Sequence, residues 1–112
     1  MPDSPFTYIA VRKDIPLAQQ IVQACHASLE MGFDLQRPCR SCKDIVSLIL
    51  LQVENEKELL ELAKKIEFHN IKFHVFYEPE NMGYEPSYTA LATEPIYDEH
   101  REIFAEYKMW KP

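Results

Sequence analysis

The feature that most constrains the fold is a nearly continuous apolar run at residues 45–53. A strand that is apolar at successive positions is typical of a parallel sheet with helices on both faces. Strand-like and helix-like patterns alternate on either side of this run, which predicts an α/β fold with a mostly parallel sheet. The order is β-α-β-α-β-β-α, with strands expected at 6–11, 45–53, 71–77 and 88–93 and helices at about 14–31, 55–70 and 98–107.

The chain has 112 residues, and we expect residues 1–112 to form a single domain with a buried core. The sequence has only two glycines and therefore contains neither of the glycine-rich phosphate-binding motifs, GxGxxG and GxxxxGK. The first residues lack the basic region followed by an apolar stretch that is typical of a signal peptide, and the longest apolar run is too short to span a bilayer. We therefore expect a cytoplasmic protein without a membrane partner, whose three cysteines are thiols.

The net charge of −6 argues against a nucleic-acid partner, because phosphate binding requires an excess of Lys and Arg. The charge is uneven, however: residues 1–43 carry five basic and four acidic side chains, whereas the remainder carries seven and fourteen. A local basic patch in the first part and a solvated loop with scattered charge are both compatible with this pattern. The five basic residues are Arg12, Lys13, Arg37, Arg40 and Lys43.

The first helix carries two stripes of residues at helical spacing. The apolar stripe predicts the buried face, and Gly32 predicts the end of the helix. A polar stripe lies beside it, and a row of Gln and His suits hydrogen bonding to a polar ligand. The alternative is a solvated face without a role, which the spacing alone favours. The apolar stripe is Ala18, Ile21, Val22, Cys25 and Leu29, and the polar stripe is Gln19, Gln23, His26 and Glu30.

The second helix has clearer signals at both ends. Asn55 followed by Glu58 is a capping-box pattern at its start, and Asn70 is suited to a left-handed turn at its end. Its apolar spacing predicts a single buried face. That face is Leu59, Leu62, Ala63 and Ile66.

Cys39 and Cys42 form a Cys-x-x-Cys pair. A structural zinc site needs four ligands, and the only other thiol is Cys25. A redox pair of this spacing usually opens a helix directly after a strand, whereas this pair lies in an expected loop before a strand. We interpret it as a coincidence of loop composition.

The loop at residues 78–86 concentrates carboxylates, an amide and aromatic side chains. Ligands of open α/β sheets bind beyond the carboxyl ends of the parallel strands. This loop leaves the end of the third strand and Asp14 follows the end of the first, so we expect them to meet at one edge of the sheet. Tyr84 or Tyr88 could stack on a base there. The alternative is a polar surface loop whose tyrosines pack on the sheet.

Taken together, these segments resemble the type 2 peptidyl-tRNA hydrolases. Residues 10–16 and 23–27 (Ala-Val-Arg-Lys-Asp-Ile-Pro and Gln-Ala-Cys-His-Ala) are similar to the family's V-R-x-D-L and A-Q-x-x-H-A motifs. Residues 88–95 (Tyr-Thr-Ala-Leu-Ala-Thr-Glu-Pro) are similar to its T-V-L-A-I-G-P ending. The resemblance covers nearly the whole chain. Residues 78–81 and 107–111 make the resemblance closest to the divergent branch of peptidyl-tRNA hydrolase domain-containing proteins.

The resemblance implies a three-layer α/β/α sandwich whose sheet has four strands, the last antiparallel to the others. It implies hydrolysis of the ester between a peptide and the terminal ribose of tRNA, without a metal or other cofactor. The family's turn before its Gln contains an essential lysine, but here that turn is two residues shorter and holds Ala18, Gln19 and Gln20. The residues that match the family are Arg12, Asp14, Gln23, His26 and Thr89, with Glu78 and Asn81 matching approximately.

Two functional hypotheses follow. In the first, His26 or Glu78 is the base, and the side chains of Gln23, Asn81 and Thr89 orient water and hold the oxyanion. The five basic residues named above would then contact phosphates at the acceptor end of tRNA. In the second, the same cleft binds tRNA, a nucleotide or a protein without chemistry. Both require His26 and Glu78 on the same side of the sheet, and a homodimer is possible in either.

Overall fold

The computed structural model describes residues 5–35 and 46–112. The two helices are α1 and α2, the strands are β1 to β5, and a 3₁₀ helix lies between β4 and β5. In chain order the elements are β1 (Phe6–Arg12), α1 (Leu17–Leu35), β2 (Ser47–Val53), α2 (Glu56–Phe68), β3 (Phe73–Glu78), β4 (Ser87–Thr93), the 3₁₀ helix (Asp98–Phe104) and β5 (Lys108–Met109).

The strands form one mixed sheet in the order β3-β4-β1-β2-β5. β1 and β2 are parallel, β4 is antiparallel to both β1 and β3, and β5 is antiparallel to β2. The α/β class and the mixed sheet are as expected, but the sheet has five strands rather than four. The expected last helix at 98–107 is a 3₁₀ helix followed by the two-residue β5, which is too short and too exposed to leave a strand pattern in the sequence.

β1 lies inside the sheet, and its alternating side chains divide the core in two. Tyr8 and Ala10 pack in a cluster with the buried side chains of α2, of the 3₁₀ helix and of Leu91. Ile9 and Val11 pack in a second cluster with Ala24, Ala27 and Met31 of α1 and with small residues of β4. The two helices therefore cover opposite faces of the sheet.

β2 is not the fully buried central strand that its apolar run predicts. It begins at Ser47, and Leu48 is 65% exposed, although Leu51 and Val53 are buried. The short β5 pairs only with Leu51 and Gln52. In the part of the chain that is described, the first half of β2 therefore has a neighbouring strand on one side only.

α2 matches the sequence prediction along its face and at its end, and Asn55 caps its start, although the Glu58 carboxylate bonds one residue earlier than in a capping box. The Asn55 side chain accepts a hydrogen bond from the backbone N–H of Glu58 at 2.9 Å, and the Glu58 carboxylate accepts one from the N–H of Glu54 at 2.9 Å. Asn70 has a left-handed φ of 58°. The buried residues of the helix are Leu59, Leu62, Ala63 and Ile66.

α1 is rotated relative to the prediction, and it runs past Gly32 to Leu35. The predicted apolar stripe faces solvent, with Ile21 54%, Val22 42% and Leu29 56% exposed. The side that lies on the sheet instead combines two hydrogen-bonded amides with three apolar residues that pack on the strands. The buried residues of α1 are Gln20, Gln23, Ala24, Ala27 and Met31.

Within residues 5–35 and 46–112, neither helix combines the length and the apolar character that a membrane span requires.

Candidate functional site

β1 and β3 both run antiparallel to β4, so their carboxyl ends lie at the same edge of the sheet. The turn after β1 and the loop after β3 meet there, as expected from the sequence. A methyl group added to Gly83, which has a φ of 96°, would lie 3.8 Å from Cγ of Pro16. The Tyr84 hydroxyl donates a hydrogen bond to Oε1 of Gln19 at 3.2 Å. The loop is therefore tied to the start of α1.

Gln23 is the centre of the hydrogen-bond network at this edge, and its side chain is fully buried. Its Nε2 donates to Oε1 of Glu78 at 2.9 Å and to Oε1 of Gln19 at 3.1 Å. Its Oε1 accepts from the Thr89 hydroxyl at 2.6 Å. Because a carboxylate only accepts and Thr89 donates, the orientation of the Gln23 amide is determined by its partners.

Thr89 reaches Gln23 because of an irregularity in β4. Phe76 pairs with Ala90 and Tyr77 pairs with Tyr88, so Thr89 is an extra residue without a partner on β3. Such a bulge changes the direction of a side chain. Thr89 and Ala90 consequently both face α1 although they are neighbours in the strand.

The Glu78 carboxylate is 8% exposed and is held at both oxygens. Oε1 accepts from Gln23, and Oε2 accepts from the backbone N–H of Glu80 at 3.3 Å. The neighbouring Tyr84 is half-buried; burial and the charge of Glu78 raise the pKa of its hydroxyl, while Arg12 lowers it. The Tyr84 hydroxyl is therefore a protonated donor beside a carboxylate, and its hydrogen is directed to Gln19.

His26 lies on the same side of the sheet as Glu78, one turn further along α1 than Gln23. Its ring stacks on Phe76, with 4.5 Å between ring centroids and 3° between planes. It makes no hydrogen bond to any described residue. The condition that both functional hypotheses required is therefore met, although His26 is engaged by packing and Glu78 by hydrogen bonds.

Arg12 and Asp14 form a bidentate ion pair at the end of β1, with N–O distances of 2.8 and 3.0 Å. Arg12 also donates to Ser87 Oγ at 2.7 Å and to the carbonyl of Tyr88 at 3.1 Å. The hydrogen bond to Asp14 raises the pKa of Arg12, against the effect of burial. These partners occupy the guanidinium, so Arg12 holds β4 and the turn together rather than presenting a free charge.

The other predicted residues are more exposed or lie elsewhere. Asn81 is exposed, and its side chain accepts from the N–H of Gly83 at 3.0 Å, which closes a local turn. The Lys13 ammonium lies 5.4 Å from the centroid of the Trp110 ring and donates to the carbonyl of Lys111. The remaining predicted basic residues and the cysteine pair lie outside the described residues; they are Arg37, Cys39, Arg40, Cys42 and Lys43.

Gln19 and Gln20, at the place of the family's turn, have roles that the sequence did not indicate. Gln19 joins Gln23 to Tyr84. The Gln20 side chain is buried and donates to the carbonyl of Ile15 at 2.9 Å, while its oxygen accepts from Trp110 Nε1 at 2.8 Å. The only signal of these roles in the sequence is that three glutamines lie within five positions of one helix. The sequence does not indicate that Tyr84 and Trp110 bond them, because both are distant in the chain.

The match to known families agrees with this geometry. A family model described as "Peptidyl-tRNA hydrolase PTH2" matches residues 6–109. The chain belongs to the type 2 peptidyl-tRNA hydrolase family. No curated protein matches the chain.

Among solved structures, the chain is similar to a protein of unknown function from Agrobacterium tumefaciens, with a TM-score of 0.71 and 9% sequence identity. The alignment covers 97% of this chain and 99% of the other. At this identity the likeness shows a shared fold. Within the described ranges, no three His, Cys, Asp or Glu side chains are grouped so that they could hold a metal ion.

Proposed function

We propose that this chain hydrolyses the ester between a peptide and the terminal ribose of tRNA, with Glu78 as the base. The observation that carries the proposal is the buried amide of Gln23, which holds the Glu78 carboxylate at the sheet edge beside Tyr84. An ordered, little-exposed carboxylate next to a protonated hydroxyl combines a proton acceptor with a hydrogen-bond donor. Membership of a peptidyl-tRNA hydrolase family supplies the class of substrate.

In this proposal the Glu78 carboxylate takes a proton from water as the water oxygen attacks the ester carbonyl carbon. Negative charge develops on the carbonyl oxygen, and the donors that we assign to it are the amides of Gln19 and Asn81 and the Tyr84 hydroxyl once it leaves Gln19. The carbon–oxygen ester bond then breaks, and Glu78 returns the proton to the leaving ribose oxygen. The products are the free peptide carboxylate and tRNA.

Gln23 and Thr89 are both fully buried, so we assign them as positioning residues rather than groups that contact substrate. The Thr89 hydroxyl fixes the Gln23 amide, and the amide fixes the Glu78 carboxylate. The shortened turn lacks the family lysine. Since losing one electrostatic stabiliser costs on the order of 100-fold or more in rate, we expect slow turnover.

The test is release of an N-blocked amino acid from aminoacyl-tRNA at high protein concentration. Glu78→Gln should abolish release, whereas the matched Glu80→Gln, an exposed carboxylate two residues away, should leave it unchanged. Equal rates for the two variants would remove Glu78 as the base, and no release by the wild-type chain would remove the enzymatic function.

His26 needs a separate experiment, because its ring also packs on Phe76. His26→Phe keeps an aromatic ring for stacking and removes both nitrogens, whereas His26→Ala removes the ring as well. If His26 acts only by packing, release should persist in the first variant and fall in the second. Loss of release in both would assign a chemical role to the imidazole.

The second candidate function is binding of the tRNA acceptor end without chemistry. It is favoured by the closed network, in which both hydrogens on Nε2 of Gln23 and its Oε1 are bonded to other side chains of the protein. Arg37, Arg40 and Lys43 are the proposed phosphate contacts, since Arg12 is occupied. Replacing these three by Gln should weaken tRNA binding and lower its salt dependence. Binding that persists with no release would select this second function.

A further inference from the structure

The two edges of the sheet differ in how they end. At one edge lies β5, a two-residue strand that contains Lys108 and is followed by Lys111 and Pro112, all of which hinder pairing with a further strand. At the other edge lies β3, which is six residues long, contains neither Pro nor Lys and has no bulge of its own. An edge strand of this kind is suited to pairing with another extended chain.

The backbone hydrogen bonds show which groups of β3 point away from the sheet. Just after β4, the N–H of Glu94 donates to the carbonyl of Lys72, just before β3, at 2.9 Å. Counting from Lys72, every second residue therefore directs its N–H and C=O to β4, and the residues between them direct theirs outward. The outward residues of β3 are Phe73, Val75 and Tyr77. Within residues 5–35 and 46–112, no hydrogen bond reaches these outward backbone groups.

The exposure of the side chains agrees with an open edge. Residues 73–77 all keep part of their surface in solvent, whereas the neighbouring β4 is buried except at Tyr88. Tyr77 is 47% exposed and packs edge-on against Tyr88, with 5.0 Å between the ring centroids. A strand added beside β3 would therefore cover aromatic surface as well as bond the outward backbone groups.

The open edge leads directly to the candidate base. Glu78 is the last residue of β3, and the next residue, Pro79, has no N–H. In a parallel pair, a residue of the added strand donates to the carbonyl of one β3 residue and accepts from the N–H two positions later. A residue beside Glu78 would thus donate to the carbonyl of Tyr77 and find no donor at Pro79. Its own carbonyl would be left without a strand partner, next to the Glu78 carboxylate.

We propose that the outer edge of β3 binds the peptide part of the substrate as an added parallel strand, with the esterified residue beside Glu78. The identity of this ligand rests on the proposed function. Its direction follows from the site, because the peptide must end at Glu78, where β3 also ends, so that both strands run the same way. Since the bonds are made to the main chain, peptides of different sequence are bound alike.

This register determines which peptide nitrogens face β3. The esterified residue and the antepenultimate residue direct their N–H groups to the carbonyls of Tyr77 and Val75, respectively. The carbonyl of the antepenultimate residue accepts from the N–H of Tyr77. The penultimate residue lies between them and directs its N–H away from the sheet. Main-chain recognition should therefore alternate along the peptide.

The first experiment measures binding of an N-acetylated tetrapeptide joined to 3′-amino-3′-deoxyadenosine through an amide, which is far more resistant to hydrolysis than the ester. Methylation of the antepenultimate nitrogen removes a donor and places a methyl group against β3, so the dissociation constant should rise by at least about tenfold. Methylation of the penultimate nitrogen is the matched control and should change it by less than about twofold.

Equal effects of the two methyl groups would rule out strand pairing, and the reverse pattern would rule out a register that brings the ester to Glu78. The proposal would also be overturned if the unmethylated compound did not bind at millimolar concentration.

A second experiment changes the protein instead of the ligand. Tyr77→Pro removes an outward N–H and keeps the bonds to β4, because proline is tolerated on an edge strand where its nitrogen faces solvent. Tyr77→Thr loses the same ring but keeps the N–H. The unmethylated compound should bind Tyr77→Pro at least about tenfold more weakly than Tyr77→Thr. Equal affinities would exclude the β3 edge, and the methylated compounds decide the question if Tyr77→Pro does not fold.

These binding measurements need no turnover, so they separate the added strand from the chemistry. Release from aminoacyl-tRNA together with equal binding of both methylated compounds would keep the proposed function and remove the added strand. Alternating binding without release would do the opposite.

A second copy of this chain is the other occupant that an open edge can take. Sedimentation equilibrium without ligand should give the same mass for Tyr77→Pro and Tyr77→Thr. Self-association that is lost only in Tyr77→Pro would assign the edge to a second copy and contradict the proposal.

Discussion

α1 and α2 lie on opposite faces of one sheet and solve different packing problems. α2 buries four aliphatic side chains and turns charged residues outward, so its inner face needs no specific partners. α1 buries two glutamines, each hydrogen-bonded to groups outside the helix, and leaves an apolar side exposed. A buried amide is tolerated only when its groups are bonded. α2 therefore depends on shape and area, whereas α1 depends on the positions of particular atoms.

The largest effect should come from the inner face of α2. Leu62→Ala removes a fully buried side chain and should lower the free energy of unfolding by about 2–5 kcal/mol. Leu29→Ala on the exposed apolar side of α1 removes the same atoms from a half-exposed site and should cost well under half as much. Urea denaturation of dilute protein measures both. Equal losses would mean that the exposed side of α1 is as closely packed as the core.

The inner face of α1 should respond to the loss of one amide. Gln23→Leu keeps the volume but leaves Thr89 and the Glu78 carboxylate without their buried partner, which should cost about 1–3 kcal/mol. Gln19→Leu, at a less buried position in the same network, is the control and should cost less. The same urea series applies. A Gln23→Leu protein as stable as the wild type would show that the network contributes to position and not to stability.

The start of α2 should show an intermediate effect. Asn55→Ala removes the side-chain acceptor for the N–H of Glu58 and should destabilise the protein by about 1 kcal/mol. The Asn55 side chain bonds Glu58 and is not part of the Gln23–Glu78–Thr89 network, so release of the N-blocked amino acid should be unchanged at a temperature where the variant is folded. A change in release without a change in stability would contradict this separation.

The smallest effect concerns the hydroxyl that links the loop to α1. The folded-state pKa of Tyr84 is raised, so its contribution to stability is present below the ordinary tyrosine pKa of 10.0 and is lost as pH rises through the folded value. The difference in phenolate absorbance between the wild type and Tyr84→Phe should therefore titrate above pH 10.0. A midpoint below that value would indicate that the Tyr84 hydroxyl is not shielded beside Glu78.

The two helices also differ in what could be predicted from the sequence. The cap, the buried face and the left-handed end of α2 were predicted correctly, because each depends on residues within one or two turns. The meeting of the β1 and β3 ends was also predicted, since strands that are joined through helices run in the same direction in one sheet. The family resemblance is confirmed over residues 6–109.

The inner face of α1 was predicted wrongly because Glu78 and Thr89, which bond its Gln23, lie on β3 and β4, more than 50 positions later in the chain. An apolar stripe usually marks the buried side of a helix. In α1, however, two hydrogen-bonded amides are buried against the sheet and the apolar stripe is exposed. β5 was missed because two exposed residues held by backbone hydrogen bonds leave no apolar pattern. The roles of Glu78, His26 and Asn81 stay predictions.

The bulge in β4 makes the spacing of the strand part of the candidate site. In an unbroken strand neighbouring side chains point to opposite faces, so a β4 in which Ala90 still faced α1 would turn Thr89 toward α2. Shortening β4 by one residue before Ala90 could preserve every chemical group of the network and still withdraw a donor from Gln23. Among relatives of this chain, loop lengths and strand irregularities would then distinguish active sites from inactive ones even where the site residues are identical.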